Sequence, residues 1–176
     1  MRKRWLDLEE ARVRACAVEE QDFMKFQRSW VLLAGEIRRG RLVSGDGSTM
    51  MLTGDHSVCS DEERMLPDRG RYCLLRRDTS AQLTDWLHIG RTIENDIVIN
   101  DYTLSKKHAR MRQNRAGTAW ELEDCGSTNH SFLEKEQLVK GKKYPVKSGM
   151  LMRLGRLNFT VLDPTGFYDF LVTMRE

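Results

Sequence analysis

The chain has 176 residues, 40% hydrophobic and 31% charged, which suits one soluble globular domain of about 100–150 residues with a sizeable extension. Its longest uninterrupted apolar run is Trp30-Val31-Leu32-Leu33-Ala34, far short of the roughly 20 residues a spanning helix needs, so a helical membrane span is excluded. Residues 1–70 hold 12 Lys/Arg against 13 Asp/Glu, and residues 71–176 hold 17 against 13, so the basic excess lies in the second half.

Met1-Arg2-Lys3-Arg4 opens with positive charge, but Asp7, Glu9 and Glu10 arrive before any apolar core, which argues against a secretory leader. The four cysteines, Cys16, Cys59, Cys73 and Cys125, are widely spaced and form no Cys-x-x-Cys pair. That spacing argues against a disulfide framework and a four-cysteine zinc site, and predicts a reducing, cytoplasmic setting.

From Trp5 to about Leu33, apolar residues recur at three- and four-residue steps: Trp5, Leu8, Ala11, Ala15 and Val18, then Phe26, Trp30 and Leu33. This spacing predicts two short helices, or one bent near Gln21 and Asp22, within a mainly helical extension over residues 1–43. The apolar stripe packs against the rest of the chain, or else it serves as a dimer or partner surface. Residues 44–70 carry scattered glycines, Pro67 and the acidic run Asp61-Glu62-Glu63, and are predicted to be a linker or long loop.

Beyond Tyr72 the period changes to two. Short alternating runs bounded by turn residues occur at Tyr72–Arg76, Trp86–Gly90, Asp96–Ile99, Lys107–Gln113, Ala119–Asp124 and Ser131–Glu134, with a final pair meeting at Gly155-Arg156. Strands without intervening helices predict an antiparallel β-sandwich over residues 71–165, with residues 166–176 as a tail. Function then belongs on the loops.

Three loop segments stand out. Gly90-Arg91 closes a strand; Thr103-Leu104-Ser105-Lys106-Lys107-His108-Ala109 places a Ser-x-x-His step 14 residues after the arginine; Glu123-Asp124-Cys125-Gly126-Ser127-Thr128-Asn129 follows a Trp-led strand. No single piece is specific, since Gly40-Arg41, Gly70-Arg71 and Gly155-Arg156 repeat the first pair. In combination they resemble the forkhead-associated (FHA) domain, a phosphothreonine-peptide-binding β-sandwich, over roughly Tyr72 to Leu162.

A phosphorylated side chain carries about −1.5 to −2 charge near neutral pH and three strong acceptor oxygens. A reader of that group needs a planar bidentate cation, which Arg91 supplies, and short neutral donors such as Ser105, Thr128 and loop N–H groups. Lys106 adds a mobile point charge. The resemblance implies that Arg91 and Ser105 bind the phosphate with Lys106 and Thr128 beside it, while Asn129 bonds the peptide backbone and steadies its own loop. It also implies an architectural role for Gly90 and for His108, which would buttress the serine loop. The family usually has glycine directly after Ser-Thr-Asn, where this chain has His130; a positive φ there is costly for most side-chain-bearing residues. His130 is also a candidate for touching the peptide or titrating near neutrality.

The stretch Lys106–Arg115 holds five cations and no acid, which raises nucleic acid as a partner. Alternation instead places Arg110 and Arg112 opposite Glu121 and Glu123 for cross-strand pairing, and no aromatics interleave the stretch. The histidines at 56, 88, 108 and 130 sit in no hydrolase, zinc-protease or phosphate-loop pattern, and His56-x-x-Cys59 is half a metal motif. Neither an enzyme activity nor a metal or cofactor is expected.

The resulting expectation is a non-catalytic, cytoplasmic, phosphothreonine-dependent binding module whose partner is phosphorylated by a Ser/Thr kinase, or is that kinase. The alternatives are a structural protein that oligomerises through the N-terminal helices, and a basic nucleic-acid-binding protein. Thr49 and Thr53 precede the sandwich and are candidates for phosphorylation and self-binding.

Overall fold

The computed structural model describes residues 5–38, 41–43, 71–76, 86–114, 116 and 118–174. In chain order its elements are β1 (Leu6–Asp7), α1 (Leu8–Cys16), α2 (Glu20–Phe26), β2 (Trp30–Ala34), β3 (Glu36–Arg38), β4 (Arg41–Val43), β5 (Arg71–Leu75), β6 (Leu87–Gly90), β7 (Ile97–Val98), β8 (Ala109–Gln113), β9 (Trp120–Asp124), β10 (Ser131–Leu133), β11 (Glu136–Gln137), β12 (Lys143–Val146), β13 (Leu151–Leu154), β14 (Leu157–Leu162) and α3 (Pro164–Thr173).

One sheet runs β1-β5-β2-β14-β13-β10-β11 and the other β12-β9-β8-β6-β7, with β3 and β4 as a separate hairpin. All pairings are antiparallel except β6 with β7. Side chains alternating inward from both sheets, among them Leu32, Cys73, Ile89, Met111, Leu122, Met152 and Phe159, form the core of the sandwich.

The far face of the seven-stranded sheet is covered by helices. Leu8, Ala11 and Ala15 of α1, Phe23 of α2 and Phe167, Phe170 and Leu171 of α3 pack with Val31, Leu33, Tyr72 and Leu162 in a second apolar cluster. The α1 stripe is therefore buried within its own chain. Asp7 caps α1 by accepting from the Glu9 and Glu10 N–H groups, and Asp163 caps α3 by accepting from Gly166 N–H, with Pro164 in the first turn.

Two expectations need correction. Trp30–Ala34 is a strand, not the end of a helix, and it lies between β5 and β14. Its five residues are all buried because both faces are covered, Leu32 and Ala34 by the opposite sheet and Val31 and Leu33 by the helices. A boundary at residue 43 would therefore cut through the sandwich. At the other end, most of the expected tail is α3, whose Phe167, Phe170 and Leu171 repeat at helical spacing.

On the outer face of the five-stranded sheet, Arg110 pairs with Glu123 at 2.6 Å and Arg112 with Glu121 at 2.7 Å, each across the β8–β9 register. Both guanidinium groups also lie over the Trp86 ring, at 4.4 and 4.7 Å from its centroid. Arg110 and Arg112 of the basic stretch thus meet acids of the neighbouring strand and the ring of Trp86, just before β6. Among the described residues no helix is long and apolar enough to cross a membrane. Thr49, Thr53, His56, Cys59 and the expected linker over 44–70 lie outside the described residues.

Candidate functional site

The loop after β6 is tied to the loop before β8 by close backbone contact. A Cβ on Gly90 would stand 2.3 Å from the Lys106 carbonyl oxygen and 2.8 Å from Asn95 Nδ2, so the approach requires glycine. Arg91 N–H donates to Ser105 O at 3.1 Å, and its Nε donates to Leu104 O at 3.2 Å. The guanidinium is thereby anchored through one nitrogen, and among the described residues no carboxylate pairs with it. Asn95, buried and opening the Asn95–Ile99 run that follows Gly90-Arg91 in the sequence, stitches the same loops by donating to Thr92 O and Lys106 O, a role that its place in the motif did not reveal.

His108 is fully buried beneath the serine. Its Nδ1 accepts from Ser105 N–H at 3.1 Å, so Nε2 carries the proton and donates to His130 O at 3.2 Å. One imidazole thus joins the second loop to the third. Burial pushes its pKa below the usual histidine value, outweighing the favourable pull of the His130 carbonyl and Asp124. His88 is shifted the same way, again chiefly by burial.

With folded-state values depressed, the unfolded chain binds protons first on acidification. The stability carried by the neutral imidazoles is complete above the unfolded value of about 6.5 and falls as pH drops through the window below it. Chemical denaturation at stepped pH should show stability declining from about pH 6.5 toward pH 5, with a shallower decline in His108→Asn. Equal slopes in the two proteins would show that His108 does not carry its share.

The third loop hangs from Asp124. Its carboxylate accepts from Gly126 N–H at 2.7 Å, Ser127 N–H at 3.0 Å and the hydroxyls of Ser127 and Ser131, both at 2.6 Å. Burial alone would raise this carboxyl, but the four donors outweigh it and hold the pKa below the usual aspartate value. So held, the loop presents Thr128 N–H to Ser105 Oγ at 3.0 Å, and Asn129 donates its Nδ2 to Thr103 O at 2.8 Å. His130 follows with φ of 58°, the left-handed conformation that glycine would adopt without strain.

A fourth brace was not legible in the sequence. Asp101, fully buried at its side chain, accepts from Arg156 Nε and Nη2 at 2.9 and 2.6 Å and from Thr103 N–H at 2.8 Å. Arg156 N–H also donates to Thr103 Oγ1 at 3.2 Å. Gly155-Arg156, one of the uninformative Gly-Arg pairs, thus secures the loop that carries Ser105.

The loops enclose a groove of about 310 Å³ lined by Arg91, Ser105, Lys106, Thr128 and Asn129, together with Tyr102, Thr103 and Leu104. All five residues expected to contact a phosphopeptide line one depression. Gly90 and His108 lie behind it, at the contacts just described. Tyr102 is the prominent side chain that the motif did not single out.

A family model for the FHA domain matches residues 87–155, the stretch containing all the lining residues. The chain carries an FHA domain. The FHA domain-containing protein FhaB of Mycolicibacterium smegmatis is 34% identical over 68 residues, which cover 39% of this chain and 41% of that protein. An oxoglutarate dehydrogenase inhibitor of Corynebacterium efficiens is 30% identical over 99 residues, 53% of this chain and 63% of that protein. The similarity to FhaB thus spans about two fifths of that relative's length. The solution structure of the FHA domain of an Arabidopsis thaliana hypothetical protein shares the fold, with a TM-score of 0.50 and 18% identity over 78% of this chain and 86% of that one. α1, α2 and α3 lie outside the residues matched by the family model and form the layer over the outer face of the seven-stranded sheet.

Proposed function

We propose that the groove captures a phosphothreonine-bearing segment of a partner protein and that the chain acts by binding, without catalysis. The observation that carries this reading is the convergence of Arg91, Ser105, Lys106, Thr128 and Asn129 from three separate loops on one groove. Among the described residues two cations and no carboxylate line it, which suits a doubly charged ester. Arg91 supplies charge-assisted donors to the phosphate oxygens, and Ser105 and Thr128 fix its orientation through neutral donors. Asn129 gives one Nδ2 hydrogen to Thr103 O, and its Oδ1 and second Nδ2 hydrogen suit the acceptor-and-donor pattern of a peptide backbone.

The braces behind the groove make the site preformed, so little ordering cost falls on binding. A kinase-added charge then becomes a docking signal, with a Ser/Thr kinase or its substrate as partner and the cytoplasm as setting. The oligomerisation alternative is weakened, because Leu8, Ala11 and Ala15 of the α1 stripe are buried within the same chain, although Val18 and Phe26 of the stripe are exposed. The nucleic-acid alternative is weakened likewise, as Arg110 and Arg112 are paired with acids and stacked on Trp86.

Calorimetric titration of the full chain with matched peptides carrying phosphothreonine, phosphoserine or unmodified threonine tests the proposal. Binding of the phosphothreonine form and none of the unmodified one is expected. Equal affinity for the phosphorylated and unmodified forms would refute it.

A further inference from the structure

We infer that Tyr102 sets the flanking-residue preference of the groove by receiving an apolar side chain beside the phosphothreonine. This rests on the phosphopeptide reading above and names the class of peptide that the groove selects.

Tyr102 lines the groove and is 56% exposed, a large aromatic surface held at a loop tip. The loop is not free to fold it away. On one side, the buried Asp101 accepts from Thr103 N–H at 2.8 Å, and its own carbonyl accepts from Leu104 N–H at 3.0 Å. On the other, Leu104 is buried in the sandwich core and Thr103 O receives Asn129 Nδ2. A ring with two rotatable bonds, mounted on a fixed backbone, offers contact area at small entropic cost.

Charge decides what that ring accepts. The guanidinium of Arg156 lies 4.9 Å from the Tyr102 centroid, which by itself would suggest an acidic neighbour. Both Nε and Nη2 of that group, however, already donate to Asp101 Oδ2 at 2.9 and 2.6 Å. The pair is neutral as a unit, and its contact with the ring steadies Tyr102 rather than attracting an acid. Among the described residues the lining cations are Arg91 and Lys106, the pair given to the phosphate. What Tyr102 offers is therefore a neutral aromatic platform beside a cationic pocket, adjoining the Thr103–Asn129 contact along which the peptide backbone would run. An aliphatic or aromatic side chain one to three residues from the phosphothreonine would cover it.

A phosphothreonine peptide library, degenerate at three positions on either side, tests this with the full chain, Tyr102→Ala and Tyr102→Glu. The wild-type protein should enrich apolar residues at one flanking position. Tyr102→Ala should reduce that enrichment about three- to tenfold, the scale of one aromatic packing contact. Tyr102→Glu should replace it with selection for Lys or Arg at the same position, a gain that misfolding cannot mimic. Selection of acidic residues by the wild type, or the same preference in all three proteins, would overturn the inference. Failure of the wild type to distinguish phosphorylated from unmodified library members would instead overturn the reading of the groove itself.

Discussion

Deleting residues 1–43 should leave a chain that does not fold cooperatively. The deletion removes β2, which lies between β5 and β14, and so opens the middle of the seven-stranded sheet. Val31, Leu32 and Leu33 are fully buried, and each contributes about 1.5–3 kcal/mol of burial. Trp30 and Ala34, the α1 and α2 contacts and the ladder bonds to both neighbours are lost with them. The sum approaches or exceeds the roughly 5–15 kcal/mol by which a typical domain is stable. A denaturant titration followed by tryptophan fluorescence should show no sigmoidal transition for the truncated protein. A transition with an undiminished midpoint would mean that residues 1–43 are an appendage after all.

That expectation reverses the one drawn from spacing alone, for a physical reason. A strand covered on one face alternates apolar and polar residues, as β8, β9 and β13 do, and such strands were readable in the sequence. A strand covered on both faces is apolar throughout and has no period. In Trp30–Ala34 that run happened to continue the three- and four-residue steps from Phe26, so it passed for a helix end.

β12 was missed because Pro145 interrupts it; proline is tolerated there because β12 lies at a sheet edge. By contrast α3 did carry a readable start, Asp163-Pro164, followed by Phe167, Phe170 and Leu171 at helical spacing.

The groove was more legible than the scaffold behind it. Arg91, Ser105, Lys106, Thr128 and Asn129 lie in three local motifs whose residue types match one ligand's chemistry, so their convergence could be expected before any coordinates. Asp101 and Arg156 are separated by 55 residues, and neither stands in a pattern that advertises the other. Tyr102 was invisible for a similar reason, since nothing local shows that an aromatic residue at a turn faces a groove.

Arg91→Ala should weaken phosphothreonine-peptide binding by about 2–3 kcal/mol, roughly 30- to 150-fold, by removing the planar charge-assisted donors. Thermal stability should change little in comparison, because the Arg91 side chain is exposed and among the described residues its side chain bonds only through Nε to Leu104 O. Arg91→Lys should recover only part of the loss, since an ammonium restores charge but not the bidentate fork. Titration calorimetry on the three proteins, alongside thermal melts, separates these effects. Full affinity in Arg91→Ala would remove the guanidinium from the account.

The most direct measurement is a two-dimensional NMR map of backbone amide shifts as a phosphothreonine peptide is added to the intact protein. The largest changes should fall on Arg91, Ser105, Lys106, Thr128 and Asn129, with the unmodified peptide leaving those signals in place. Changes concentrated on the helical layer or around Trp86, with the groove amides unmoved, would contradict the assignment of this groove as the binding site.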